Sequence, residues 1–383
     1  MIHRAWATAV ACLVAISAAS ACPFCSVQEP SLGEQLDLSD AVVFVQWTSA
    51  VPISAGKEAS GSTNFSIVQI VRQPGDELAA GSAITLDRYR AAKPGDLFLL
   101  MGTHSDAIEW GAPVAVTQTS FQYITKSPGR ETPAAKRLPY FLQYLEHPDE
   151  LISKDAFSEF AAAPYSDIEP LANQFSSEKL KTWLAKKETN QTRIGFYGMM
   201  LGLCGGKEDA AFLKAEIDKP TESYRLGLDG MMAGLVLLTG DDGITVLEQK
   251  IRNEKDITDT YAAMQTLRFM WQYARSRVSE DRLRQAMRQL IDHQSFAELA
   301  ITDLTRWDDW QVMPRLIAIY DSPGHNSAQI KRAIAKFLIA LSKKKPSPGD
   351  TVLAKYVDEA KSHLADLEAR DPKIVKDARK YTF

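Results

Sequence analysis

The sequence predicts an α+β protein of two domains, a small antiparallel β barrel followed by an all-α array of stacked helix pairs. Two observations carry this expectation. One helix is written almost twice, as Arg193-Ile-Gly-Phe-Tyr-Gly-Met-Met-Leu-Gly-Leu203 and Arg225-Leu-Gly-Leu-Asp-Gly-Met-Met-Ala-Gly-Leu235, an offset of 225 − 193 = 32 residues. That is the length of a helix–turn–helix unit, which buries its apolar face by stacking on a neighbour. Ahead of it, between Ala41 and Ile124, short runs rich in β-branched and aromatic residues are separated by Pro-Gly turn signals.

Residues 1–21 read as a signal peptide and stand outside the fold. His3 and Arg4 give a positive start, Ala5–Ile16 is apolar, and Ala19-Ser20-Ala21 is an A-x-A cleavage signal. The apolar run falls short of the roughly 20 residues an integral span needs. Cleavage before an unmodified Cys22 is the leading expectation. A lipid anchor on Cys22 is the alternative, against which Ala19 stands where lipoproteins prefer a larger aliphatic residue. The protein is therefore expected to be exported, periplasmic or extracellular.

Composition and charge narrow the class. With 45% hydrophobic and 24% charged residues, a packed core rather than disorder is expected. Cys22–Pro133 holds 7 basic and 12 acidic residues, and Ala134–Phe383 holds 36 of each. Neither part has the positive field that nucleic-acid backbones require, so no nucleic-acid partner is expected.

The first domain is expected over 22–126. Ser31–Asp40 reads as a short helix or turn. Strands follow at Ala41–Val51, Asn64–Arg72, Ala83–Tyr89, Leu97–Met101 and Val114–Ile124, with Pro52–Thr63 a polar loop and Pro74-Gly75-Asp76 and Pro94-Gly95-Asp96 turns. No helix among them is long enough for a parallel crossover, which points to an antiparallel, closed or half-closed sheet. Residues 127–134, with Ser127-Pro-Gly and Pro133, read as the linker.

Beyond it, 135–342 reads as helical. Ala135–Leu145 and Glu150–Ala163 are amphipathic, Pro164 stops the second, and Ser176 caps the next. In the duplicated helices Gly195, Gly198 and Gly202 share one side, as do Gly227, Gly230 and Gly234. Each glycine costs about 1 kcal/mol relative to alanine in a helix, so three in register imply close approach of a neighbouring helix. Later helices follow at Thr258–Tyr273, Arg282–Ile291, Phe296–Trp307, Val312–Tyr320 and Asn326–Leu341, with Asp309 expected to cap the fourth of these. Residues 343–383 are expected to form C-terminal capping helices and a tail.

Two cysteines at the start of the mature chain, the strand Asp40-Ala-Val-Val-Phe-Val-Gln-Trp and the later Pro94-Gly-Asp-Leu-Phe-Leu-Leu together resemble the netrin-like module of the tissue inhibitors of metalloproteinases. That resemblance covers about 22–126 and implies an oligosaccharide/oligonucleotide-type (OB-like) barrel. It also implies a protease-inhibiting N-terminal edge, with the first cysteine chelating the protease zinc and both cysteines bridged into the barrel. Here the spacing is Cys-x-x-Cys and the barrel has no further cysteine, so that clamp lacks its partners. The alternation across about Asp155–Ser342 resembles HEAT-like repeats, which implies an α-solenoid. The whole layout resembles that of exported bacterial proteins.

Cys22-Pro-Phe-Cys25 is the motif closest to chemistry. A structural disulfide, metal or partner ligation, and thiol redox catalysis are all open to it. Redox catalysis needs the first thiol at a helix N-terminus behind a core strand, and no βαβ pattern surrounds this pair. His104, His147, His293, His325 and His363 are scattered singly, so no metal site is expected, and no nucleotide, dinucleotide or nucleophile-elbow motif implies a cofactor or a catalytic residue. What remains is a surface. Arg193, Tyr197, Arg225, Asp229, Arg268, Trp271, Arg306, Trp307, Trp310 and Arg332 lie on or beside the helices expected to line one long face. Arginine, tryptophan and tyrosine are the commonest binding anchors. The functional expectation is thus a non-catalytic protein-binding or scaffold protein of the cell envelope, with a thiol-disulfide or metal-handling protein acting through Cys22 and Cys25 as the alternative.

Overall fold

The computed structural model describes residues 22–25, 29–52, 61–220, 225–253 and 256–380. The expected signal segment, most of the polar loop 52–63 and the last three residues lie outside the described residues. Among those described, no helix is long and apolar enough to cross a membrane. Contacts divide the chain after Ile168, with Glu169 opening the second unit and Phe24 counted in it.

The first unit begins with α1 (Leu32–Asp37), started by a capping box in which Ser31 Oγ accepts from Glu34 N and the Glu34 carboxylate accepts from Ser31 N. Six strands follow: β1 (Ala41–Val51), β2 (Ser62–Arg72), β3 (Ala83–Leu86), β4 (Leu97–His104), β5 (Ile108–Trp110) and β6 (Val114–Val116). They form one antiparallel sheet in the order β3-β2-β1-β4-β5, with β6 also paired to β4. The sheet does not close, since β3 pairs only with β2 and β5 only with β4. Val43, Val45, Phe65, Ile67, Ile84, Leu86, Phe98 and Leu100 bury one face as a single cluster. Central β1 is buried on both faces from Ala41 to Val45, because Phe44 on the other side meets Phe121 at 4.3 Å between ring centroids.

Phe121 belongs to a helix that the sequence reading placed in a strand. Val114–Ile124 is strand only as far as Val116, and α2 occupies Gln118–Lys126. The reason is local. Thr117 Oγ1 accepts from Ser120 N at 3.0 Å and Ser120 Oγ accepts from Thr117 N at 2.7 Å, a capping box that starts a helix. Ser120, Tyr123 and Ile124 then share its buried side. The third strand likewise ends at Leu86 rather than Tyr89, and β5 was not foreseen. Three further helices complete the unit: α3 (Ala134–Leu142), α4 (Glu150–Ala161) and α5 (Tyr165–Ile168). Tyr140 OH of α3 donates to Tyr123 O of α2 at 2.7 Å, and α2 and α3 each pack on α4.

Among its described residues the second unit has helices and no strand: α6 (Ser177–Ala185), α7 (Ile194–Cys204), α8 (Lys207–Ile217), α9 (Leu228–Thr239), α10 (Asp241–Arg252), α11 (Ile257–Tyr273), α12 (Glu280–Gln289), α13 (Ala297–Arg306), α14 (Met313–Ile319), α15 (Ala328–Ser342), α16 (Thr351–Arg370) and α17 (Pro372–Lys380). Most neighbours in sequence pack on each other, and several helices also meet the next but one: α6 with α8, α7 with α9, α9 with α11, α10 with α12, α13 with α15 and α15 with α17.

The duplicated helices, α7 and α9, make the most extensive of these contacts, and their glycines are the reason. A methyl group on Gly198 would stand 2.6 Å from the Met231 Cα, and one on Gly202 would fall on the Gly234 backbone. The two helices therefore meet backbone to backbone, as the register of their glycines anticipates. Apart from Asp229 in the first turn of α9, both carry apolar or small residues on every side over their buried middle parts, as befits helices packed all round.

Candidate functional site

The turn Trp307-Asp308-Asp309-Trp310 between α13 and α14 is held by backbone bonds, ion pairs and ring contacts at each of its residues. Trp307 N donates to Asp303 O at 2.8 Å and closes α13. Asp308 then takes φ 53°, the one positive value for a non-glycine residue among those described. Aspartate tolerates this region better than branched residues do. Lys344 Nζ lies 2.7 Å from Asp308 Oδ1.

Asp309 was expected to cap the following helix with its side chain. Its carboxylate makes no capping bond there; it turns to the Arg288 guanidinium, which binds both oxygens, Nε donating to Oδ2 at 2.6 Å and Nη2 to Oδ1. A bidentate charged pair with Asp309 only 2% exposed outcompetes a cap, because a buried carboxylate needs a full partner. Arg284, one helical turn earlier, donates from Nε and Nη2 to Trp307 O at 3.1 and 2.8 Å.

The two indoles are held as firmly. Trp307 stacks on Trp271 with centroids 4.3 Å apart and planes 8° from parallel. The Arg284 and Arg275 guanidinium groups lie 5.1 and 5.6 Å from the Trp271 ring. Trp310 meets Phe337 edge-on at 5.2 Å, with Lys344 Nζ 5.3 Å from its ring centre. Beside this turn a cleft of about 270 Å³ opens, with Trp310, Asp308 and Arg284 on one side and Asp350, Val352 and Tyr356 of the α16 start on the other.

The ten residues singled out in the sequence fall into separate settings. Trp271, Trp307 and Trp310 belong to the turn and its stack. Arg268 and Arg306 converge on Asp303, Arg268 Nε at 2.6 Å from Oδ2 and Arg306 Nη1 at 3.8 Å from Oδ1, and burial raises the Asp303 carboxyl above its ordinary value. Arg225 donates to Glu216 O and Ile217 O at 2.9 and 2.7 Å, satisfying carbonyls left open at the end of α8. Tyr197 is fully buried against Trp183, with centroids 5.0 Å apart, and Arg193 is 5% exposed. Asp229, in the first turn of α9, accepts from Gly230 N at 2.9 Å. Burial raises its carboxyl, and among the described residues no basic side chain pairs with it. Arg332 is half-buried on α15.

Cys22 and Cys25 are joined as a disulfide. Cys22 N also donates to Ala161 O at 3.1 Å. In the second unit Phe24 packs on Phe269, with centroids 4.7 Å apart, and touches the open side of Gly195. Cys204 is the free thiol among the described cysteines, and burial pushes it up to about 11. No group of three or more His, Cys, Asp or Glu among the described residues is placed to hold a metal ion.

The first unit holds a polar centre that the sequence reading missed. Glu159, 1% exposed, accepts from Ser31 Oγ at 2.5 Å and pairs with Arg137. Burial lowers the Arg137 guanidinium from its usual value. One turn earlier on α4, Asp155 accepts from Leu32 N and from Tyr123 OH, both at 2.6 Å. Burial raises Asp155, and burial with the neighbouring Asp155 carboxylate raises Tyr123 far above an ordinary phenol. The available signal was the placing of Asp155 and Glu159 four apart, beside Ile152, Ala156 and Phe160 on an otherwise apolar face. These carboxylates anchor the α1 N-terminus, where free N–H groups favour an anion.

No protein-family model matches this chain, and neither a curated protein nor a solved structure matches it.

Proposed function

We propose that this is an exported, non-catalytic protein-binding protein of the cell envelope, acting through a HEAT-like solenoid built from the helix pairs of the second unit. The observation that carries the reading is the cleft at Trp310 and Tyr356. Its walls offer Trp310, Tyr356 and Arg284, the residue types that most often anchor a protein partner. Trp310 and Asp308 stand on a turn already locked by Arg288, Arg284 and the Trp271–Trp307 stack, so on that side little side-chain freedom is lost when a partner binds.

The test uses exposed positions. Val352, 66% exposed, borders the cleft, whereas Val51, 58% exposed, lies in the first unit. A partner captured from envelope extracts by the wild type is expected to be lost with Val352→Asp and kept with Val51→Asp. The same captured set from all three proteins overturns the reading. Export is tested separately by N-terminal sequencing of protein recovered from the periplasm, which is expected to begin at Cys22.

The closed Cys22–Cys25 pair favours a second reading, a thiol-disulfide protein of the envelope. Catalysis of insulin reduction by the wild type, absent in Cys25→Ser, would establish it.

A further inference from the structure

The first unit has a larger cavity, about 520 Å³, opening beside α1. Its volume lies within the range of about 300–1,000 Å³ usual for ligand sites. Pro30, Leu38 and Ala162 supply apolar walls, and Glu29, Glu34 and Asp37 supply carboxylates.

Arg130 is the one cation lining it among the described residues, and it is heavily shared. Its Nη1 lies 3.1 Å from Glu34 and 4.0 Å from buried Glu159, and its Nε lies 3.9 Å from Asp37. Arg72 reaches Asp37 from outside the cavity at 3.5 Å. Glu29 meets no cation among the described residues. Leu38, at the C-cap of α1, is 78% exposed although it borders a cavity. The cavity thus leaves one carboxylate and one large apolar side chain unmatched, Glu29 ahead of α1 and Leu38 at its end.

We propose that this cavity is a docking site for an extended peptide segment of a partner protein, one that presents both a lysine or arginine and a leucine-like residue. The cation meets Glu29 at the start of α1, and the apolar side chain covers Leu38 at its end. Such a segment carries the charge opposite to the rim, and the cavity has room for two or three side chains. The site lies wholly within the first unit and does not depend on the cleft at Trp310.

The test titrates the full chain with the fluorescein-labelled peptide Ala-Leu-Lys-Ala-Leu-Lys-Ala, or with its counterpart carrying glutamate for lysine, and reads anisotropy. The lysine peptide is expected to saturate and to bind about tenfold or more tightly than the glutamate peptide. Glu29→Lys and Leu38→Lys, both at exposed positions, are each expected to weaken it about tenfold with unchanged circular dichroism. Glu178→Lys, on the 83%-exposed side chain of a residue in the second unit, is expected to leave it unaltered. Equal binding of the two peptides overturns the proposal. So does full binding by both cavity variants, or an equal loss with Glu178→Lys.

Discussion

Gly202 of α7 faces Gly234 of α9 so closely that neither position has room for a methyl group. Two opposed effects follow for substitution. Alanine favours the helix by about 1 kcal/mol. Overpacking against backbone atoms, which cannot rotate away, costs typically about 1–3 kcal/mol. The clash wins. Gly202→Ala is expected to lower the free energy of unfolding by about 1–2 kcal/mol, read as a reduced denaturant midpoint. Gly202→Val should be worse. A Gly202→Ala protein as stable as the wild type would show that α7 and α9 are further apart than described.

The Arg288–Asp309 pair governs the shape of the Trp307–Trp310 turn. Removing one member of a buried pair strands a charge, at a cost of about 3–5 kcal/mol when both are buried. Arg288 is 25% exposed, so solvent reduces the figure. Arg288→Ala is expected to cost about 2–3 kcal/mol in chemical denaturation. The double variant Arg288→Met with Asp309→Leu should cost less than Arg288→Ala alone, since no charge is then left uncompensated.

Asp229 supplies a pH dependence. Burial raises its carboxyl above the ordinary 3.8, so the folded protein holds this proton more tightly than the unfolded chain does. Its contribution is most favourable below the unfolded value and is lost as pH rises through the raised folded value. Asp229→Asn keeps the acceptor for Gly230 N and removes the charge. The variant is therefore expected to gain on the wild type as pH rises from about 4 to 7 in paired denaturation series. A constant difference across that range would contradict the burial of this carboxyl.

Cys204 should be nearly inert. With its thiol pushed from an ordinary 9.0 to about 11, the thiolate fraction at neutral pH drops about a hundredfold, and alkylation slows with it. Iodoacetamide on the native, unreduced protein beginning at Cys22, which lacks Cys12, is expected to label no cysteine at an appreciable rate. Unfolding should release Cys204 alone, and unfolding with reductant should release Cys22 and Cys25 as well.

What the sequence revealed depended on how far apart the cooperating residues lie. The glycine pairing of α7 and α9 was legible because each copy displays its own register, Gly195-x-x-Gly198-x-x-x-Gly202 and Gly227-x-x-Gly230-x-x-x-Gly234, and the contact is between like faces. The buried end of β1 was legible as an unbroken apolar run. Val114–Ile124 misled because β-branched and aromatic residues favour a strand, whereas a four-residue capping signal at Thr117 and Ser120 decides for helix. The site was harder still. Trp307 and Trp310 stood out by residue type, but their partners Arg284, Arg288 and Tyr356 sit 21 to 46 positions from Asp309 or Trp310, on an ordinary polar helix face or a helix start. Asp155 and Glu159 hid the same way, since Ser31 and Tyr123 reach them from other elements.

The glycine seam between α7 and α9 has a mechanical consequence. Side chains give an interface slack, because they can change rotamer while the main chains slide. Where main chain rests on main chain no such give exists, so α7 and α9 are already at their distance of closest approach and cannot be pressed together further.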